Sequence, residues 1–173
     1  MTPPALFFST ICGLDSFNAL PAPVAEERLY SCLANQGWAA RLAHGRPYRD
    51  ANHLLTAADL TSGFLTDEEW RQVLAGHPRI GEGGGESPER SAREQSRAMQ
   101  ASRATLEALA EENRRYEATF GHVFLIAASG RSGDEILYEL RRRMRNDPVT
   151  ELGEAKRELR KIVQLRLGKM LFP

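Results

Sequence analysis

Apolar residues recur at helical spacing along most of the chain, in short blocks punctuated by glycine and proline. The pattern predicts a brief helix over residues 15–20, then a second that begins at Pro21 and Pro23 and carries Val24, Leu29 and Leu33. A small helical piece over 38–42 ends at Gly45-Arg46-Pro47, and two more helices follow over 51–60 and 67–74. Thr66 stands where an N-cap belongs, with Glu69 at the capping-box distance. Residues 76–86 break the pattern: His77-Pro78-Arg79-Ile80-Gly81-Glu82 runs into three consecutive glycines, a loop composition that lets backbone approach a ligand closely. Ser87-Pro88 then restarts a helix as cap and first-turn proline, and a glycine-free helical run extends to about Phe120. Residues 120–128 (FGHVFLIAA) are the one stretch with strand character. Two helices close the chain, over 134–145 and 148–170, the last with Leu159, Ile162, Val163 and Met170 on one face. One extended segment cannot make a sheet alone. The fold reads as all-α, a single-domain bundle of several short helices with one extended segment, residues 1–14 being an N-terminal extension and 15–173 the domain.

Composition narrows the class. A chain of 173 residues buries one sizeable core but is short for two, and 42% hydrophobic with 27% charged residues is the balance of a globular rather than a disordered protein. Lys plus Arg and Asp plus Glu both total 23, so no general pull toward nucleic acid exists and any charge preference must be local. Cys12 and Cys32 have neither metal-ligand nor redox spacing, which fits a reducing compartment. No apolar run approaches the ~18 residues of a membrane span. The mildly apolar start lacks a basic region and a convincing cleavage site, so the expected location is the cytoplasm.

Four features carry candidate chemistry. His77 titrates near neutral pH and can give or take a proton, and Pro78 stiffens the backbone that aims it; the plain alternative is a loop histidine bonded to a backbone carbonyl. Ser91, Glu94 and Gln95, at i, i+3 and i+4, place a hydroxyl, a carboxylate and an amide on one helical face, which continues through the small residues Ala98 and Ser102 as a pocket wall would. Local pairing by Arg90, Arg93 and Arg97 on a solvated face is the alternative there. Arg166 falls within the apolar stripe of the last helix, so its guanidinium either finds an anion or snorkels at the stripe's edge. Lys161 and Lys169 read as the wet side of that helix. The apolar stretch 124–128, without sheet partners, has main-chain groups to satisfy and could present them to a small heterocycle or simply fill core.

Together these pieces resemble one family. His77-Pro78-Arg79-Ile80-Gly81, then Ser91-Ala92-Arg93-Glu94-Gln95, then Tyr116 with Phe120-Gly121 and Phe124, then Lys161-Ile162 with Leu165-Arg166-Leu167, follow the order of motifs in the OHCU decarboxylases and span about ninety residues. The resemblance implies an all-helical enzyme of urate breakdown that decarboxylates 2-oxo-4-hydroxy-4-carboxy-5-ureidoimidazoline to (S)-allantoin, with no metal and no cofactor. It implies His77 as proton donor with Glu94 beside it. It further implies a substrate site lined by Pro78, Ser91, Ala92, Arg93, Glu94, Gln95, Phe124, Leu125, Ile126, Ala127, Ala128 and Arg166. The implied partner is the small-molecule substrate, with no nucleic acid and no membrane, and the resemblance is compatible with a homodimer. The chain departs from the family pattern in places. Many members have Asp where Arg79 stands and an aromatic-proline pair where His122-Val123 stands, and Ser129-Gly130 intervenes before Arg131, so no site role is carried to that arginine.

Two rivals come from other classes. A metal-assisted hydrolase is weakened because His44, His53, His77 and His122 show no HxxxH or HExxH spacing. A non-catalytic helical small-molecule-binding module would need an exposed apolar stripe or a charged patch, and neither stands out.

Arg166 separates a ligand anchor from a structural ion pair. If it contacts substrate, Arg166→Met leaves the melting temperature nearly unchanged and lowers kcat/KM by about 10-fold or more, the cost of losing a charge-assisted hydrogen bond. If it pairs with a buried carboxylate, the same change strands that charge and removes about 3–5 kcal/mol of stability. Thermal melts beside steady-state kinetics distinguish the two.

Overall fold

The structure, a computed structural model, describes residues 13–77, 79 and 100–172. Among them are eight helices and no strand: α1 (Leu14–Asn18), α2 (Ala22–Tyr30), α3 (Gln36–His44), α4 (Ala51–Ser62), α5 (Asp67–Ala75), α6 (Arg103–Phe120), α7 (Gly133–Arg143) and α8 (Pro148–Leu171). The all-α expectation holds. None of the described helices is long and apolar enough to cross a membrane.

Short polar side chains write the helix starts. Asn35 accepts from Trp38 N to open α3, Asp50 from His53 N to open α4, and Thr66 and Glu69 form the expected capping box on α5. Ser132 and Glu135 repeat that box on α7. Asp147 receives the N–H groups of Val149 and Thr150, both at 3.0 Å, ahead of the first-turn Pro148 of α8. The hydrogen bond from Thr150 holds the Asp147 carboxyl below the usual range. One cap corrects the sequence reading. The helical run expected through Phe120 is interrupted at Ser102, whose hydroxyl accepts from Thr105 N at 3.1 Å and begins α6 anew. Ser102 is therefore a helix start, because a serine that can satisfy an orphan N–H competes well with helix continuation; residues 91–98 of the expected face lie outside the described residues.

The described chain divides into two units. One comprises residues up to Phe64 and those from Val163 onward. In it Trp38 binds α3 to α4, its indole N–H lying 3.1 Å from both Ala58 O and Ser62 Oγ. Arg46 gathers the carbonyls that end α1, donating to Phe17 O at 2.9 Å and Leu20 O at 2.7 Å. That satisfies acceptors which a helix of five residues cannot satisfy itself. Gln164 donates to Leu55 O at 3.0 Å.

The other unit runs from Leu65 to Ile162. Its core joins Leu109 and Tyr116 of α6, Ile136 and Leu140 of α7, and Phe124, Ile126 and Ala128 from the connection between them. Gly121, at φ 75°, closes α6 in the left-handed region where glycine is favoured. Within this core lies an ion pair: Arg143 is 1% exposed and Glu151 0% exposed. Arg143 reaches Glu151 Oε1 through Nε at 2.8 Å and a terminal nitrogen at 2.5 Å, and donates to Leu125 O at 2.6 Å. Its guanidinium carbon stands 4.7 Å from the centre of the Phe124 ring, a cation–π contact. Tyr116 donates its hydroxyl to the same Glu151 oxygen, and burial pushes the Tyr116 phenol well above its ordinary pKa. Asn146 completes the carboxylate, donating to Oε2 at 2.7 Å.

Breaking a buried pair on one side strands the other charge, so Glu151→Leu is expected to cost about 3–5 kcal/mol in urea unfolding. Adding Arg143→Met removes the stranded guanidinium and recovers a large part of that loss. Losses that simply add would show that the two side chains act independently.

Candidate functional site

The α5 capping box starts a helix that ends at Gly76, and His77 follows at once. Its backbone N–H still reaches Leu74 O at 3.2 Å, so the residue is held against the last turn. The ring Nδ1 lies 2.9 Å from Val73 O. A carbonyl only accepts, so Nδ1 carries hydrogen and Nε2 is the ring atom through which a proton can be exchanged with a ligand. The carbonyl-bonded loop histidine and the proton-transfer group, set out as alternatives from the sequence, are thus compatible: one nitrogen orients the ring and the other is directed away.

Two residues on, Arg79 makes a two-point contact with Glu117 of α6, Nε to Oε1 at 2.5 Å and a terminal nitrogen to Oε2 at 2.8 Å. The hydrogen bond from Arg79 outweighs partial burial and holds the Glu117 carboxyl below the usual range. This contact fastens the end of the His77 segment to α6. One turn earlier on α6, Asn113 is 1% exposed, and neither amide atom has a hydrogen-bond partner among the described residues.

The connection over 124–128 carries no helix and no ladder. Phe124, Ile126 and Ala128 send their side chains into the core. Its polar groups are met by side chains from other elements. Leu125 O accepts from Arg143, Ala127 N donates to Glu158 at 2.9 Å, and Ala127 O accepts from Arg131 Nε at 3.2 Å. Burial raises the Glu158 carboxyl, but the Lys161 hydrogen bond, the Ala127 N–H and the charges of Lys161 and Arg143 outweigh it, and the net displacement is downward. Alternate residues of an extended chain turn their main-chain groups to the same edge. Residues 125 and 127 therefore face the arginine and glutamate side chains, and Ile126 turns its N–H and C=O to the other edge, where no described residue bonds them.

Of the residues expected at a site, His77 and the 124–128 segment lie in one unit, along with α6. Pro78, Ser91, Ala92, Arg93, Glu94 and Gln95 lie outside the described residues. Arg166 belongs to the other unit, is 8% exposed, the buried rather than the snorkelling alternative, and donates to Cys32 O at 3.3 Å. Arg143, Glu158 and Asn113 did not stand out in the sequence, although a signal existed for Arg143. Ile136, Leu140 and Arg143 are spaced i, i+4, i+7, which puts this arginine in an apolar stripe just as Arg166 is. No cluster of three or more metal-ligating side chains occurs among the described residues.

Four similarities to known proteins bear on this arrangement. The sequence model of the OHCU decarboxylase family matches residues 18–168. The uric acid degradation bifunctional protein TTL of Arabidopsis thaliana is 32% identical over 153 residues; the match covers 85% of this chain and 47% of that protein, so the chain spans about half of its length. A 2-oxo-4-hydroxy-4-carboxy-5-ureidoimidazoline decarboxylase of Haloferax volcanii is 30% identical over 135 residues, covering 76% of this chain and 80% of that one. The crystal structure of an OHCU decarboxylase in the presence of (S)-allantoin superimposes with a TM-score of 0.73 at 28% identity, over 84% of this chain and 97% of the other. With most of its length matched by the family's own sequence pattern, and with a helical fold to correspond, this chain belongs to the OHCU decarboxylase family.

Proposed function

We propose that this protein decarboxylates 2-oxo-4-hydroxy-4-carboxy-5-ureidoimidazoline and releases (S)-allantoin, using neither metal nor organic cofactor. The observation that carries the reading is His77: a histidine tethered through Nδ1 to Val73 O, within the His-Pro-x-x-Gly motif by which the sequence resembles the family. The substrate makes the rest intelligible. Decarboxylation leaves an electron pair that needs a sink, and the carbon losing CO₂ adjoins a ring C=N. The electrons of the breaking C–C bond form a new C=C, the C=N pair moves onto nitrogen, which takes a proton, and an enol results. The enol hydroxyl then loses its proton as the carbonyl forms, while the ureido-bearing carbon gains one. Substrate and solvent supply every atom, so no cofactor has to accept electrons.

The protein's task is then stereochemical and electrostatic. His77, its ring fixed by the Val73 carbonyl, delivers a proton from Nε2 to one face of the ureido-bearing carbon and sets the S configuration. Glu94 favours the protonated imidazole or grips the ureido or hydroxyl group. Gln95 and the Ile126 main chain suit the amide-like edges of the substrate, since each offers a donor and an acceptor.

An ultraviolet assay on freshly generated substrate tests the reading: the protein should speed its decay and yield optically active product, whereas a binding module changes neither. His77→Asn is expected to lower kcat by about 10²–10⁴-fold while the protein stays folded, the usual worth of one general acid. Near wild-type turnover would remove His77 from proton transfer. Glu94→Gln combined with His77→Asn should be barely slower than the worse single variant, because residues that act as a unit are not additive. Multiplicative losses would assign them separate roles.

A further inference from the structure

Buried carboxamides are hydrogen-bonded almost without exception, because desolvating a donor and an acceptor without replacement is costly. Asn113 is such an exception: it is 1% exposed, and neither Nδ2 nor Oδ1 has a partner among the described residues. Its position on α6 shows where it is aimed. At 3.6 residues per turn, Tyr116 lies about 60° to one side of Asn113 around the helix and Glu117 about 40° to the other. Tyr116 packs against Phe124, ring centres 5.2 Å apart, at the start of the extended connection. Glu117 is clamped by Arg79, two residues past His77. Asn113 thus projects between the histidine segment and the connection, the two features on which the functional reading rests.

We propose that Asn113 is a substrate-reading residue, whose carboxamide makes a paired donor–acceptor contact with a urea-type edge of the ligand. The inference rests on the decarboxylase reading. It deepens that reading by naming a contact that the family motifs of the sequence do not contain. The chemistry is complementary: a carboxamide presents one N–H and one C=O side by side, and so does a urea. The substrate and its product carry two such edges, one in the ring and one in the ureido arm. The unanswered amide is a local cost borne at a functional position, which the ligand's own donor and acceptor would answer.

Asn113→Leu is the informative variant, since leucine has the same branching and no polar atoms. Removing both unanswered polar atoms from an apolar setting is neutral or stabilising, so the melting temperature should hold or rise. The same variant should lose about 10-fold or more in kcat/KM, the scale of a lost hydrogen bond left without substitute. A fall in melting temperature, or kcat/KM close to wild type, overturns the proposal. Should the bulk of leucine prevent folding, Asn113→Ala carries the kinetic test with the same two outcomes. Inhibition by allantoin and by hydantoin, which is allantoin without its ureido arm, separates the edges. A variant weakened toward allantoin alone places the contact on the arm, and one weakened equally toward both places it on the ring. If the wild-type protein shows no decarboxylation, the functional reading fails by itself. Calorimetric titration of both compounds into wild type and variant then decides the contact, with equal affinity in the two proteins overturning it.

Discussion

A guanidinium and a carboxylate that are both out of water must answer one another, and the way Arg143 and Glu151 do so organises the unit from Leu65 to Ile162. Each group has more hydrogen-bonding capacity than the pair consumes. Arg143 uses the surplus on Leu125 O, and Glu151 uses its own on Tyr116 and Asn146. Four pieces of chain, α6, the connection after it, the end of α7 and the start of α8, are thereby brought to one point. An apolar core alone would tolerate small slippages of these elements. A buried charge network tolerates few, because each displaced bond leaves a desolvated polar atom.

The same constraint explains how an apolar stretch with strand character exists in a helical protein. Residues 124–128 have main-chain groups that a sheet would satisfy, and here side chains from α7, α8 and the following turn satisfy them on one edge. On the other edge no described residue bonds Ile126, and under the proposed function its main-chain groups are those offered to the substrate. Precision of this kind suits a reaction whose electrons flow within the substrate. In the proposed decarboxylation the substrate is its own electron sink, and the protein's part is to hold a flat, polar ring in one orientation while a single proton arrives on one face. The tethered ring of His77 and the Arg79–Glu117 clamp belong to the same requirement, since both limit where the histidine segment can lie relative to α6.

Much of this was legible in the residues themselves. Helix starts at Thr66 and Pro148, the breaks at Gly45 and Gly121 and the amphipathic last helix all follow from periodicity and capping chemistry, which operate within about one turn of helix. Ser102 shows the limit of that reading even at short range. Its hydroxyl could serve a helix face or a helix start, and the contact between Thr105 and Asp134, 29 residues apart, favours the start. His77 stood out because histidine beside proline in a glycine-rich loop is an unusual local composition. Arg143 stands in an apolar stripe as plainly as Arg166, but in a run with Arg141 and Arg142.

The chain alone thus determined the class of fold and most helix boundaries, and it singled out His77 as a candidate, because each depends on neighbours close in sequence. Only the tertiary structure decided which polar groups are answered and which are not. Arg143 meets Leu125 across 18 residues, Ala127 meets Glu158 across 31, and Arg79 meets Glu117 across 38. Asn113 is the sharpest case. Nothing in its sequence neighbourhood distinguishes it from a solvated helical asparagine, and its interest lies entirely in being buried where no described partner reaches it. Burial and partnership are properties of packed surfaces brought together from distant parts of the chain, and no periodicity along the chain encodes them.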